Sequence, residues 1–287
     1  MRHNRAQSPA SQALQGICVS LYASFALFAG IGSHLREFEI DIIKKPLLFL
    51  FGIYAWAVLV VCVLFGVFAA LLVPTLDGRR RWVSAAARGV FFLTATPCRV
   101  SGLDNLPDDH CVVIANHASY LDGIILKAFL PPRFAFVIKG EMRNFPVVSF
   151  MLRRIGSKFV ERFVAAGSAR DARAIVKSAR KGESIAIFPE GTFIREPGLG
   201  RFRPGAFSAA IKGQIPVVPV VIHGSRNMLP AEQNLPVPGR IDIVIQEPIP
   251  VSDPAFESSA RLAALSRKRI LATLDEPDLL RQSEAAD

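Results

Sequence analysis

The segment Cys111-Val112-Val113-Ile114-Ala115-Asn116-His117-Ala118-Ser119-Tyr120-Leu121-Asp122 decides how this chain is read. Its first five residues form a short apolar run that reads as a strand. Asn116 and His117 follow at once, and Asp122 lies five residues beyond His117. A His with a nearby Asp suits general-base chemistry. The carboxylate holds one ring nitrogen, so the other points at a proton to be removed. On a regular helix, side chains five apart do not share a face. The two therefore meet only if His117 lies in a strand-to-helix turn and Asp122 in the first turn of the helix. Taken alone, the spacing is better explained as an ordinary packed pair.

Three later segments change that weighting. They are Gly156-Ser157-Lys158-Phe159-Val160-Glu161-Arg162, Phe188-Pro189-Glu190-Gly191-Thr192 and Ile215-Pro216-Val217-Val218-Pro219. With the His-x4-Asp segment they resemble the four ordered motifs of the glycerolipid acyltransferases, the family of 1-acylglycerol-3-phosphate and related lysophospholipid acyltransferases. The resemblance covers roughly residues 98–250 and includes the lead-in Val100-Ser101-Gly102-Leu103-Asp104-Asn105-Leu106-Pro107. It implies a membrane-bound enzyme that moves an acyl group from a thioester to the free hydroxyl of a lysophospholipid. The acceptor it favours is 1-acyl-sn-glycerol-3-phosphate, giving phosphatidic acid. The co-substrate is an acyl-coenzyme A or acyl-carrier-protein thioester, and no further cofactor is expected.

Residue by residue, the resemblance makes His117 the general base and Asp122 its orienter. Arg162 becomes the phosphate anchor, since a guanidinium grips phosphate with two parallel hydrogen bonds. Asn116, Lys158, Phe159, Glu190, Gly191, Thr192, Arg195 and Pro216 complete the expected substrate-binding set. Each has a plainer reading. Lys158 can be a solvated surface charge, Glu190 can orient arginines, and Pro216 and Pro219 can fix where an apolar strand begins and ends. No Gly-x-Ser-x-Gly elbow is present, so direct attack is favoured over an acyl-enzyme, with Ser119 as the alternative nucleophile. The chain departs from the commoner family pattern after Thr192. Phe193 and Ile194 stand where Arg or Ser is usual, and Arg195, Arg201 and Arg203 become competing head-group ligands.

Bulk properties agree with a lipid substrate. The chain has 287 residues, a formal net charge of +10, 51% hydrophobic residues and a mean hydropathy of +0.34. The charge suits anionic partners, and the hydropathy favours membrane lipid over nucleic acid. Cys18, Cys62, Cys98 and Cys111 form no Cys-x-x-Cys pair, and the histidines do not cluster with Cys or carboxylates, so neither a disulfide framework nor a metal site is expected.

From Pro46 to Leu76 there is no charged side chain, with Lys44 and Lys45 before the run and Arg79, Arg80 and Arg81 after it. About 20 apolar residues suffice to span a bilayer. Leu14 to Gly32 is a weaker apolar stretch: a second span, an interfacial segment or a signal sequence. Residues 1–84 are accordingly assigned to membrane anchoring and 85–287 to the catalytic domain. The basic clusters favour a cytoplasmic catalytic domain, and a bacterial inner membrane is the expected setting.

Strands are expected near 111–115, 134–138, 157–161, 184–188, 217–222 and 241–245. Helices are expected over about 80–97, around Phe145–Leu152 and from Ser168, where Asp171 completes a capping-box-like pair and Gly182 is the stop. The alternation predicts an α/β domain with a mostly parallel sheet. The segment from about Asp275 is acidic, polar and expected to be peripheral. Competing readings are a non-catalytic lipid-binding protein of the same fold and a lipid hydrolase that uses the same base on water.

Overall fold

A computed structural model describes residues 44–160 and 182–284. The chain divides into two compact units, Met1–Leu50 and Phe51–Asp287. The stretch from Leu14 to Gly32, Glu161 and Arg162, and the helix expected from Ser168 lie outside the described residues.

The larger unit is built on a seven-stranded sheet with the order β1-β7-β6-β2-β5-β3-β4. Its strands are β1 (Cys98–Ser101), β2 (Val112–Ala115), β3 (Phe134–Lys139), β4 (Lys158–Val160), β5 (Ser184–Ile187), β6 (Val217–His223) and β7 (Ile241–Ile245). Every pairing is parallel except that of β6 with β7. The expected strands are all present. The edge strand β1 escaped the sequence reading because Cys-Arg-Val-Ser is short, carries a charge and buries only partly.

β2 occupies the middle of the sheet, and all four of its residues are buried. Its side chains alternate between two cores. Val113 and Ala115 face a cluster with Phe134, Ile222 and Ile243. The covering helices on that face are α2 (Leu76–Leu93), through Ala87 and Phe91, and α3 (Asp122–Phe129), through Ile125 and Leu126. Val112 and Ile114 face the other cluster, covered by Phe207 of α5 (Gly205–Gly213) and by Leu262 and Ile270 of α7 (Ser259–Thr273). Between these, in chain order, come α4 (Pro146–Arg154) and the single turn α6 (Ser225–Met228); α8 (Leu279–Glu284) closes the described chain. A parallel strand buried on both faces must be apolar throughout, as β2 is.

The long apolar helix α1 spans Lys44–Leu72 and is long and apolar enough to cross a membrane. It ends short of the apolar run because Pro74 cannot continue it. Thr75 then caps α2, its hydroxyl accepting the Gly78 N–H at 3.2 Å. Within the larger unit α1 is fastened along one side. The Trp56 indole N–H donates to the Asn234 carbonyl at 2.7 Å and the Tyr54 hydroxyl to the Leu93 carbonyl at 2.8 Å. Val58 and Cys62 pack on Val90, and Ala70 joins Val83, Met151 and Ile155. Its other side exposes Val60, Val61, Leu64, Phe68, Leu71 and Leu72. The helix expected over 80–97 runs instead from Leu76 to Leu93 and is a core helix of the sheet domain.

Asn116 locks the carboxyl end of β2 to that of β6. Its amide donates to the Ile222 carbonyl at 2.9 Å and accepts the Ile222 N–H at 2.8 Å. The side chain is buried, so neither backbone group has water as a substitute. Asn116→Ala leaves both unpaired and should cost about 2–4 kcal/mol of stability. Chemical denaturation of purified protein measures this directly.

Candidate active site

The sheet brings three chain segments together at one edge. β2, β5 and β6 are adjacent and parallel, so their carboxyl ends point the same way. His117 follows β2, Glu190 follows β5 and Arg226 follows β6. In open α/β sheets this edge is where ligands bind.

Asp122 is the first residue of α3, and His117 lies in the turn before it, the arrangement their spacing requires. His117 Nδ1 is 2.9 Å from Asp122 Oδ2. The same oxygen accepts the N–H groups of Ala118 at 2.7 Å and Ser119 at 2.8 Å. Asp122 is fully buried, and these donors fix its rotamer. With Nδ1–H donated to Asp122, Nε2 is the nitrogen left to accept a proton. The imidazole stacks on Phe188 with ring centroids 4.2 Å apart, and Phe193 closes on it at 4.5 Å. Phe193 also meets Tyr120 edge-on at 4.8 Å. The departure from the family pattern after Thr192 thus places an aromatic wall beside the base.

Glu190 ties the base to the loop that faces it. Its Oε1 accepts the His117 backbone N–H at 2.7 Å and its Oε2 accepts the Gly200 N–H at 2.8 Å. Burial pushes its carboxyl up to about 7, against the opposing pull of those two N–H groups and of Arg226. The plainer reading has Glu190 orienting arginines, whereas these contacts position backbone. Arg226 does the same for residues 194–198. Its guanidinium donates to the carbonyls of Ile194 at 2.8 Å and Glu196 at 2.9 Å, while gripping Glu276 at 2.9 and 2.8 Å.

These groups surround a cavity of about 280 Å³ lined by His117, Glu190, Thr192, Phe193, Ile194, Gly198, Gly200, Arg201, Arg203, Arg226 and Leu279. That is near the lower end of the roughly 300–1,000 Å³ range of small-molecule sites, room for one compact polar group. A smaller apolar recess is lined by Trp56, Leu59, Val90, Phe91, Leu121 and Leu229 among others. It contains no polar chemistry suited to catalysis.

Of the sequence-expected residues, His117, Asp122, Glu190 and Thr192 gather here. Asn116 is a strand lock, not a ligand contact. Gly191 takes φ +82, and a Cβ on it would come within 2.8 Å of Arg203 Nε, so the close approach it permits is to Arg203. Arg195 is exposed, 3.9 Å from Glu232 and outside the cavity lining. Lys158 pairs with Glu183 at 3.2 Å. The guanidinium groups of Arg143 and Arg153 lie over the Phe159 ring, 5.5 and 5.9 Å from its centre. Pro216 precedes β6 at the amino end of the strand, the opposite edge from His117, and Pro219 lies within β6 instead of flanking it. Ser119 is unsuited to nucleophilic attack. Its buried hydroxyl donates to the Leu229 carbonyl at 2.7 Å and accepts the Leu121 N–H at 3.1 Å.

The sequence reading missed Phe193 as a wall of the base, Arg226, and the segment after α7. That segment, expected to be peripheral, packs directly on the site loop. Leu199 N–H donates to the Pro277 carbonyl at 2.9 Å, Gly198 N–H to Glu276 at 2.8 Å, and Arg267 grips Asp278 at 3.0 and 2.6 Å. Its Glu276 and Asp278 carboxylates are bound by Arg226 and Arg267, so those two are not left to solvent.

The carboxyl edge of the sheet thus carries a His–Asp pair beside a cavity lined by Arg201, Arg203 and Arg226. Residues 97–223 match the family model described as acyltransferase. A chloroplastic 1-acyl-sn-glycerol-3-phosphate acyltransferase, BAT2, of Brassica napus is 31% identical over 153 residues, covering 52% of this chain and 44% of that protein. The 1-acyl-sn-glycerol-3-phosphate acyltransferase of Saccharomyces cerevisiae is 25% identical over 244 residues, 82% of this chain and 80% of its own length. The crystal structure of the 1-acyl-sn-glycerophosphate acyltransferase PlsC from Thermotoga maritima superposes with a TM-score of 0.68 at 25% identity, covering 79% of this chain and 94% of that one. The chain spans less than half the length of BAT2 and of the Arabidopsis thaliana chloroplast relative LPAT1.

The raised carboxyl of Glu190 has a consequence for stability. The fold favours its neutral form, so the associated stability is full below the ordinary carboxylate value and is lost as pH rises through about 7. Wild-type protein should lose more melting temperature than Glu190→Gln between about pH 5 and about pH 8. Thermal scans of both proteins across that range check the sign.

Proposed function

We propose that this chain acylates 1-acyl-sn-glycerol-3-phosphate to give phosphatidic acid, with an acyl-coenzyme A or acyl-carrier-protein thioester as donor. The observation that carries the reading is His117, held by Asp122, facing a cavity that also contains Arg201 and Arg203. The names of the relatives supply the acceptor.

In this mechanism Nε2 of His117 takes the proton from the acceptor hydroxyl as its oxygen attacks the thioester carbonyl carbon. The carbon–sulfur bond breaks, and the proton passes from His117 to the leaving thiolate. No acyl-enzyme forms. Arg201 and Arg203 meet the acceptor phosphate, joined by Arg162 on the strength of its motif.

The site works at a membrane surface. The exposed apolar side of α1, with Phe92 of α2, enters the hydrocarbon. The other side of α1 is bound to the sheet domain from Trp56 to Ala70. α1 is long and apolar enough to cross the bilayer, and its fastening holds the sheet domain close to the lipid. The cytoplasmic face of a bacterial inner membrane, read from Arg79–Arg81, belongs to the same proposal.

Labelled acyl thioesters offered with a panel of lysophospholipids to wild type and His117→Ala test the reading. Wild type should form phosphatidic acid, and His117→Ala should be slower by about 10²–10⁴-fold. Release of free fatty acid without transfer would identify a hydrolase. Turnover that survives in His117→Ala would remove the base from the mechanism.

A further inference from the structure

The segment Glu276–Leu279 is joined to the cavity by more than proximity. Glu276 holds Arg226 with both oxygens and also accepts the Gly198 N–H. Asp278 holds Arg267, and Arg267 donates to the carbonyls of Leu199 at 2.6 Å and Gly200 at 2.9 Å. Gly200 in turn donates to Glu190. Leu279 lines the cavity and abuts Gly198 so closely that a Cβ there would lie 2.5 Å from Leu279 Cγ.

We propose that Glu276–Leu279 is a working wall of the acceptor site that selects a phosphate monoester over a phosphodiester. Leu279 is the specificity residue, and Glu276 positions the arginine end of the cavity. The inference rests on the acceptor reading above and extends it to the group carried by the phosphate. An ammonium or hydroxyl beyond the phosphate would meet the Leu279 side chain, which offers it no hydrogen bond. Burying such a group unpaired is costly. The carboxylates that could receive it, Glu276 and Asp278, are already committed to Arg226 and Arg267.

The test is steady-state kinetics on the full chain with lysophosphatidic acid, lysophosphatidylglycerol and lysophosphatidylethanolamine. Leu279→Ala should raise the kcat/KM of the two diesters relative to the monoester by about tenfold or more. Glu276→Gln should raise the acceptor KM by about fivefold and leave the donor KM unchanged. Leu279→Val, a smaller trim, repeats the test if the Ala variant melts early. Equal changes for every acceptor in Leu279→Ala, or equal changes in both KM values in Glu276→Gln, would make the segment merely structural. Wild type active on lysophosphatidic acid with unshifted ratios overturns this inference alone. Wild type inactive on all three acceptors overturns the acceptor reading with it.

Discussion

The site depends on one constraint: β2, β5 and β6 are neighbours and run parallel. Parallel neighbours deliver the residues after each strand to the same edge. That is how His117 meets Glu190, 73 positions away in sequence, through a 2.7 Å hydrogen bond. The constraint is costly to satisfy, since parallel strands need long crossovers and a sheet covered on both faces. The two clusters packed against alternate residues of β2 meet that need. Asn116 then fixes the β2 and β6 ends with a buried two-way amide contact.

On that edge the chemistry is organised by carboxylates that touch backbone. Asp122 Oδ2 collects the ring of His117 and two N–H groups. Glu190 spans from the base to Gly200, and Glu276 reaches the same loop through Gly198 and Arg226. These links form a continuous path from the segment after α7 to the turn that carries His117. A site held this way keeps its geometry before substrate arrives, which is what positioning catalysis requires.

What was legible in the sequence was local. An apolar run followed by His-x4-Asp carries its own geometry, because only a strand–turn–helix lets the pair meet. The alternation of short apolar runs with helical stretches likewise carried the α/β class. Contacts across long separations were not legible. Arg226 looks like any arginine after a strand, and its partner Glu276 is 50 residues away. Asn116 beside a candidate base reads as a ligand, yet its partner is a backbone 106 residues on. The polarity of Glu276 and Asp278 suggested solvent because sequence does not display the arginines that neutralise them. Pro219 sits inside a central strand where antiparallel pairing with β7 begins at Val220, a tolerance that only the register reveals.

The central claim is that Asp122 makes His117 a base. The most direct measurement is the single-turnover rate of acyl transfer by Asp122→Asn beside wild type, with circular dichroism on both. The account predicts an intact fold and a rate reduced by about 10²-fold or more. A folded Asp122→Asn protein that transfers acyl groups at the wild-type rate would contradict it.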